Sequence, residues 1–483
     1  MVRVSRLRRK TSELATATAP ANLPQNGLGS AAIAAPRKKS IRLTLWPLVA
    51  ATFFMVSGGT YGTEEIVHGA GYGRAILLLL LTPLLWSLPT AFMIGELSSA
   101  LPYEGGYYAW VRRALGNFWG FQEAWLSLVA SIFDMAIYPT LFVAYLTRMF
   151  PWFQEGYRGL AVGLAVVIAC AILNIAGVKV VSLTSLWLFF ALSAPFVAIV
   201  VLAPFKMGAL ANAVTRPTTS TVDILGGLLI CMWNYMGWDN ASTIATEVER
   251  PQRTYPRAML VAVGIVALSY ILPFAAMWMT GLAPSAWETG SWADIAGLLG
   301  GPLLRVGVVL GGMISAFGMF NALVMSYSRL PLAMAEDGML PRIFGKLHPR
   351  SRAPWVAITV CAVFWAPCLL LGFARLVTID ILLYGFSLML EFVALAVLRF
   401  REPDLPRPFR VPGGLFGAVA IGIPPMLLLG FSVIRSEHEQ VWNMSSFAFG
   451  MILIAAGFVA YAVNHLLKPQ GWARTEQKTE PAA

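Results

Sequence analysis

Twelve apolar runs, each long enough to cross a lipid bilayer, fill this chain from Leu45 to Leu467. Hydrocarbon offers no partner to a free peptide N–H or C=O, so a chain dissolved in it folds as helices or as a closed barrel. Runs of about 20 apolar residues belong to the helical solution. The spans fall near 44–70, 73–100, 118–148, 158–177, 182–204, 222–245, 256–280, 302–328, 354–372, 376–398, 414–434 and 444–466. The expected fold class is an all-α membrane protein with twelve transmembrane helices. Composition agrees, since 58% of the 483 residues are hydrophobic and only 12% are charged.

The net charge of +11 is distributed by topology. Nine basic residues precede Leu43, in clusters at Arg3 to Lys10 and Arg37 to Arg42, and most others lie in alternate loops. Such a bias marks cytoplasmic segments, places both termini inside, and argues against a nucleic-acid partner. Residues 1–43 lack an apolar core and a cleavage site, so they read as a disordered basic cytoplasmic tail rather than a signal peptide. Residues 468–483 read as a second short tail. The four cysteines lie in spans, where no disulfide is expected. His68, His348, His438 and His465 stand singly, without metal spacing. No phosphate loop or nucleophile constellation is present either. Neither a cofactor, a metal nor an enzymatic activity is expected.

Function is hinted at by acids that lipid does not tolerate. Asp134, Asp239 and Glu391 fall in or beside apolar runs, without an obvious basic partner in the same segments. A carboxylate at the bilayer centre costs roughly 2.5–3.5 kcal/mol, and such residues usually mark a substrate or ion path. Two spans are also interrupted. Ser57-Gly58-Gly59 and Gly62 break the first, with Glu64 and Glu65 following, while Asn234, Gly237 and Asn240 break the sixth around Trp238 and Asp239. One break alone is equally a glycine notch for helix packing. Two, five spans apart, point to unwound backbone lining a transporter's cavity.

Four blocks of sequence resemble the amino acid–polyamine–organocation carriers. They are Ser57 to Glu65; Pro102-Tyr103-Glu104-Gly105-Gly106-Tyr107-Tyr108; Glu247 to Pro251 with Thr254 to Ala258; and Ser328-Arg329 with Ala333 to Gly338. The resemblance implies an inverted five-plus-five repeat, the leucine-transporter-like fold. Residues 44–400 are then a ten-helix transport core, and 401–467 hold two further helices with their preceding loop. Ile132-Phe133-Asp134, Tyr138-Pro139, Trp233-Asn234, Trp238-Asp239, Leu390-Glu391-Phe392 and Glu402 to Pro412 are similar to the polyamine-uptake carriers best known from plants. Many proton-coupled amino acid permeases have a lysine within the fifth helix. Here Lys179 stands at its start and the interior has none.

A polyamine carries two to four ammonium groups on a methylene chain. Its site needs separated carboxylates for the charges and aromatic walls for the methylenes. Asp134, Asp239 and Glu391 supply the first, and Tyr138, Trp233, Trp238 and Tyr384 the second. Asp134 and Tyr138 are four residues apart on one helix face, and Tyr384 and Glu391 seven apart on another. Ser57, Gly58, Gly59 and Asn234 offer backbone and amide groups at the breaks. Glu64 and Glu65 follow the first break, in positions open to an outer vestibule. Asp134 and Glu391, away from the helix breaks, are the acids expected to exchange a coupling proton. Sodium is the alternative, with Ser315 and Ser326 as oxygen donors. Together with the resemblance, which implies import across the plasma membrane by proton symport, these residues lead to the expectation of a carrier for polyamines or related organic cations. An amino acid permease of the same superfamily is the alternative, and a transporter-like receptor or assembly subunit a third reading.

Overall fold

A computed structural model of the chain describes residues 43–103, 105–177, 180–213, 222–441 and 443–466. The expected tails fall outside these residues except for Leu43, as do Glu104 and Lys179. The described chain is mostly helical. In order it forms α1 (Leu45–Val56), α2 (Glu64–Ala70), α3 (Tyr72–Ala100), α4 (Tyr107–Leu115), α5 (Asn117–Met149), α6 (Arg158–Ala176) and α7 (Val180–Leu202). There follow α8 (Ile224–Asn234), α9 (Pro251–Met279), α10 (Trp292–Glu336), α11 (Trp355–Leu370), α12 (Phe373–Arg401), α13 (Gly414–Ala420), α14 (Ile423–His438) and α15 (Ser446–Leu466). Among the described residues, nine helical stretches are long and apolar enough to cross a membrane, and α1 and α11 are shorter apolar helices.

Burial separates the inner helices from the outer. α5 is the most buried of the long helices and packs along α10 and α12, whereas α6 and α15 leave most of their side chains on the outside. The span read at 302–328 is longer than expected. Helix α10 begins at Trp292, bends where Gly301 (φ +74°) precedes Pro302, and runs on to Glu336. Its far end is fixed by Asp337, which pairs with Arg112 and accepts from the Tyr108 hydroxyl at 2.8 Å. Two of the sequence blocks that carry the resemblance thus meet as a structural joint.

Another joint lies below α12. Glu96 is fully buried and takes both a forked contact from Arg399 and the Val411 N–H at 2.7 Å, with Arg407 Nε at 3.3 Å. Arg113 grips Glu402 through two bonds of 3.0 and 2.7 Å, and this guanidinium holds the Glu402 carboxyl below its ordinary range. The Glu402 to Pro412 segment therefore straps α3, α4 and α12 together.

Both expected breaks are present. α1 stops at Val56 because Gly58 takes φ +62°, and a Cβ there would collide with Met319 and Ser315 of α10. α8 stops at Asn234, and the chain passes Gly237 (φ +86°), whose Cβ would sit 3.0 Å from the Met55 carbonyl. Beyond it the expected continuation to 245 is a 3₁₀ helix over Trp238–Glu247, not an α-helix. The breaks face each other, with the Asn234 side-chain amide donating to Gly62 O at 3.4 Å.

Candidate functional site

Unwound backbone in an apolar interior needs partners, and neighbouring side chains provide them. At the first break Ser315 donates to Gly58 O, Trp292 Nε1 to Thr60 O at 3.2 Å, and the Ser57 hydroxyl accepts Gly59 N–H at 3.0 Å. The Thr60 hydroxyl donates to Ser269 O on α9 at 2.8 Å. At the second break the next residue of α9, Tyr270, donates to Asn234 O at 2.9 Å. Ser87, within a π-helical turn of α3 at Pro83–Ser87, reaches Tyr235 O at 3.4 Å.

Around these breaks the structure gathers buried carboxylates. Asp134 on α5 accepts from Tyr138 at 2.9 Å and Trp233 Nε1 at 3.3 Å through one oxygen, and from Tyr327 at 3.1 Å through the other. Trp233 also packs edge-on against Phe373 and tilts towards Tyr138, 5.5 and 6.2 Å between ring centroids. Asp239, in the 3₁₀ segment, accepts from Tyr384 of α12 at 2.6 Å, and the same phenolic oxygen accepts the Gly237 N–H at 3.2 Å. Glu391 is completely buried and neither of its oxygens has a hydrogen-bond partner.

Two more acids, not anticipated from sequence, join them. Glu123 on α5 accepts from Ser387 of α12 and from Ser127 at 3.4 Å, and its second oxygen is unpartnered. Asp380 on α12 is fully buried with both oxygens unpartnered. A polar stripe was the readable signal. Asp380, Tyr384, Ser387 and Glu391 recur every three or four residues on α12, as Glu123, Ser127, Ser131, Asp134 and Tyr138 do on α5. Among the described residues, no lysine, arginine or histidine forms an ion pair with any of these five acids; the basic side chains are engaged at the periphery, as Arg148 is with Glu288 and Asp294.

Other candidates have different surroundings. Glu64 does not face an open vestibule: it is fully buried, bonded by the Tyr145 hydroxyl and by Gly290 N–H at 3.0 Å. Glu65 takes Thr289 N–H and hydroxyl, both at 3.0 Å. The segment between α9 and α10, anchored by buried Trp287 and Trp292, folds over these two acids. Trp238 adjoins Asp239 in sequence and is fully buried, its indole N–H satisfied by Tyr235 O at 2.7 Å. All five central acids are at most 4% exposed, so this conformation shields them from solvent. Chemically, such an array can hold cations or protons and nothing anionic.

The family model described as amino acid permease matches residues 49–465. The polyamine transporter RMV1 of Arabidopsis thaliana is 34% identical over 436 residues, covering 89% of this chain and 87% of that protein. The polyamine transporter PUT1 of Oryza sativa subsp. japonica is 36% identical over 440 residues, covering 88% and 80%. The serine/threonine exchanger SteT of Bacillus subtilis (strain 168) is 25% identical over 386 residues, covering 77% and 85%.

Proposed function

We propose a function from one premise: the chain belongs to the amino acid permease family. It is a multi-pass membrane transporter of small organic molecules rather than an enzyme. In our reading its cargo is a polyamine or a related organic cation, carried inward across the plasma membrane with protons. One observation carries this: five buried carboxylates on three elements, without an ion-paired base among the described residues. A neutral amino acid needs no such surplus of negative charge. Similarity to two plant polyamine transporters supports the same choice.

Ammonium groups would replace the missing bases, at Asp134 between Tyr138, Trp233 and Tyr327, and at Asp239 beside Tyr384. Asn234 with Ser57, Gly58 and Gly59 shapes the breaks, and Glu64 lies where the outer cover closes. Asp134 and Glu391 are our candidates for the proton. We assign residues 44–400 to a ten-helix core with an inverted repeat, 401–467 to spans eleven and twelve, and both ends of the chain to the cytoplasm. The amino acid alternative draws on the serine/threonine exchanger and on the glycine break, whose backbone suits an α-amino acid.

Competition decides between them. Labelled putrescine and spermidine uptake should be blocked by other polyamines and not by a panel of neutral amino acids. In Asp239→Asn, polyamine uptake should fall by orders of magnitude, as loss of a buried charge partner weakens binding by about 2–5 kcal/mol. Unchanged polyamine uptake in a well-expressed Asp239→Asn protein would overturn this reading.

A further inference from the structure

Helices α5 and α12 touch through Ser127 and Ser387, whose hydroxyl oxygens are 2.9 Å apart. Four residues back along α5 is Glu123, and four residues on along α12 is Glu391. Seven residues in the opposite sense are Asp134 on α5 and Asp380 on α12. Two antiparallel faces in this register set one acid pair beside Ser127–Ser387 and another about 16 Å away, eleven residues at 1.5 Å each. Asp380 is within electrostatic range of Asp134 and Asp239, and Glu391 of Glu123 and Asp239, as this register requires.

The near pair resembles no ordinary structural contact. Ser387 donates to one oxygen of Glu123, and the remaining oxygen and both oxygens of Glu391 are fully buried and unpartnered. Tyr107 of α4, also buried, lies within electrostatic range of Glu123, Asp239 and Glu391. Two like charges this close stay together only around a shared proton or a cation.

We infer that Glu123 and Glu391 form a second ammonium-binding pole and that the transporter gauges polyamine length between it and the Asp134–Asp380 pair. This rests on the polyamine reading above. An extended tetra-amine with three- and four-carbon spacers separates its terminal nitrogens by about 16 Å, given carbon–carbon bonds near 1.5 Å, whereas a four-carbon diamine spans only about 6 Å. A tetra-amine therefore reaches both poles with inner nitrogens passing Asp239, and a diamine occupies one at a time.

The test is uptake by the full-length protein in cells, with spermine and putrescine as probes and rates normalised to surface protein. In Glu123→Gln the preference for spermine over putrescine should fall about tenfold or more, the loss of one buried charge partner. Glu123→Asp, which retains the anion, should recover most of that preference. Ser387→Ala, which removes only a hydroxyl, should shift it in the same direction by several-fold and covers the case in which Glu123→Gln is poorly made. An unchanged preference in these variants, or equal weakening of both amines, overturns the second pole while leaving the polyamine reading intact. Uptake of neither amine by the wild type overturns both.

Discussion

Tyr384 donates its phenolic proton to Asp239 at 2.6 Å while the same oxygen receives the Gly237 N–H at 3.2 Å. One side chain thus positions the central acid and satisfies the unwound backbone next to it. A hydrogen bond to a charged group contributes about 1.5–3 kcal/mol, so Tyr384→Phe should lower uptake efficiency roughly 10- to 100-fold. Asp239→Asn should lose at least as much, and the double variant no more than Asp239→Asn alone. Initial uptake rates at matched surface levels measure this, and fully additive losses would show that the two side chains act separately.

Coupling is checked by the driving gradient. Accumulation should rise with an inward proton gradient, collapse with a protonophore, and survive replacement of sodium by choline. Asp134→Asn or Glu391→Gln, whichever removes the proton carrier, should retain some amine-for-amine exchange and lose uphill accumulation. Accumulation that follows sodium and ignores the protonophore removes the proton role from both acids.

Gly58 leaves no room for a side chain. Gly58→Ala requires φ +62° of an alanine and drives its methyl into Met319 and Ser315, so transport should be abolished. Met319→Ala in the same chain clears part of the collision and should recover measurable uptake. No recovery would mean that backbone strain, not the close approach, sets the requirement.

The Glu96 joint should dominate stability. Glu96→Gln leaves Arg399 buried without its countercharge, a change worth about 3–5 kcal/mol. Thermal unfolding in detergent should move clearly downward and the yield of folded protein should drop. Arg399 also donates to the Val411 carbonyl at 2.7 Å and to the Gly414 carbonyl, and Glu96→Gln with wild-type thermal stability would show that these two carbonyls suffice for it.

Glu402 gives a pH control. Its carboxyl is held down by Arg113, so the pair's stabilisation is complete above the ordinary value of about 4.3 and is lost only as acid carries the pH through the lowered one. Both side chains are about one-third exposed, and the contribution is accordingly small. Glu402→Gln should therefore leave the shape of the uptake profile between about pH 5 and 8 unchanged. A profile altered in that range would place Glu402 in the transport path.

Spans and breaks were legible in the sequence because lipid imposes a length and a composition, and because Gly58 and Gly237 mark turns that other residues resist. Asp134 and Tyr138 were legible as a pair through helical spacing. Glu123 and Asp380 were not singled out: each lies on a polar stripe at helical spacing, but the pairing of the two stripes depends on α5 lying against α12, which no local pattern contains. Trp238 and Asp239 are neighbours in sequence, but in a 3₁₀ helix consecutive side chains are about 120° apart, and the Trp238 indole bonds Tyr235 O while Asp239 bonds Tyr384. Glu64 was placed near open solvent because the segment that covers it comes from residues 288–290, more than 220 positions away.

Ser269 and Tyr270 are consecutive on α9, yet one is tied to Thr60 at the first break and the other to Asn234 at the second. Any displacement of one break that preserves its bond carries α9 with it, and α9 pulls on the other. One helix is thus the common anchor of both unwound segments, and Thr60→Val or Tyr270→Phe removes one of the two ties without touching an acid.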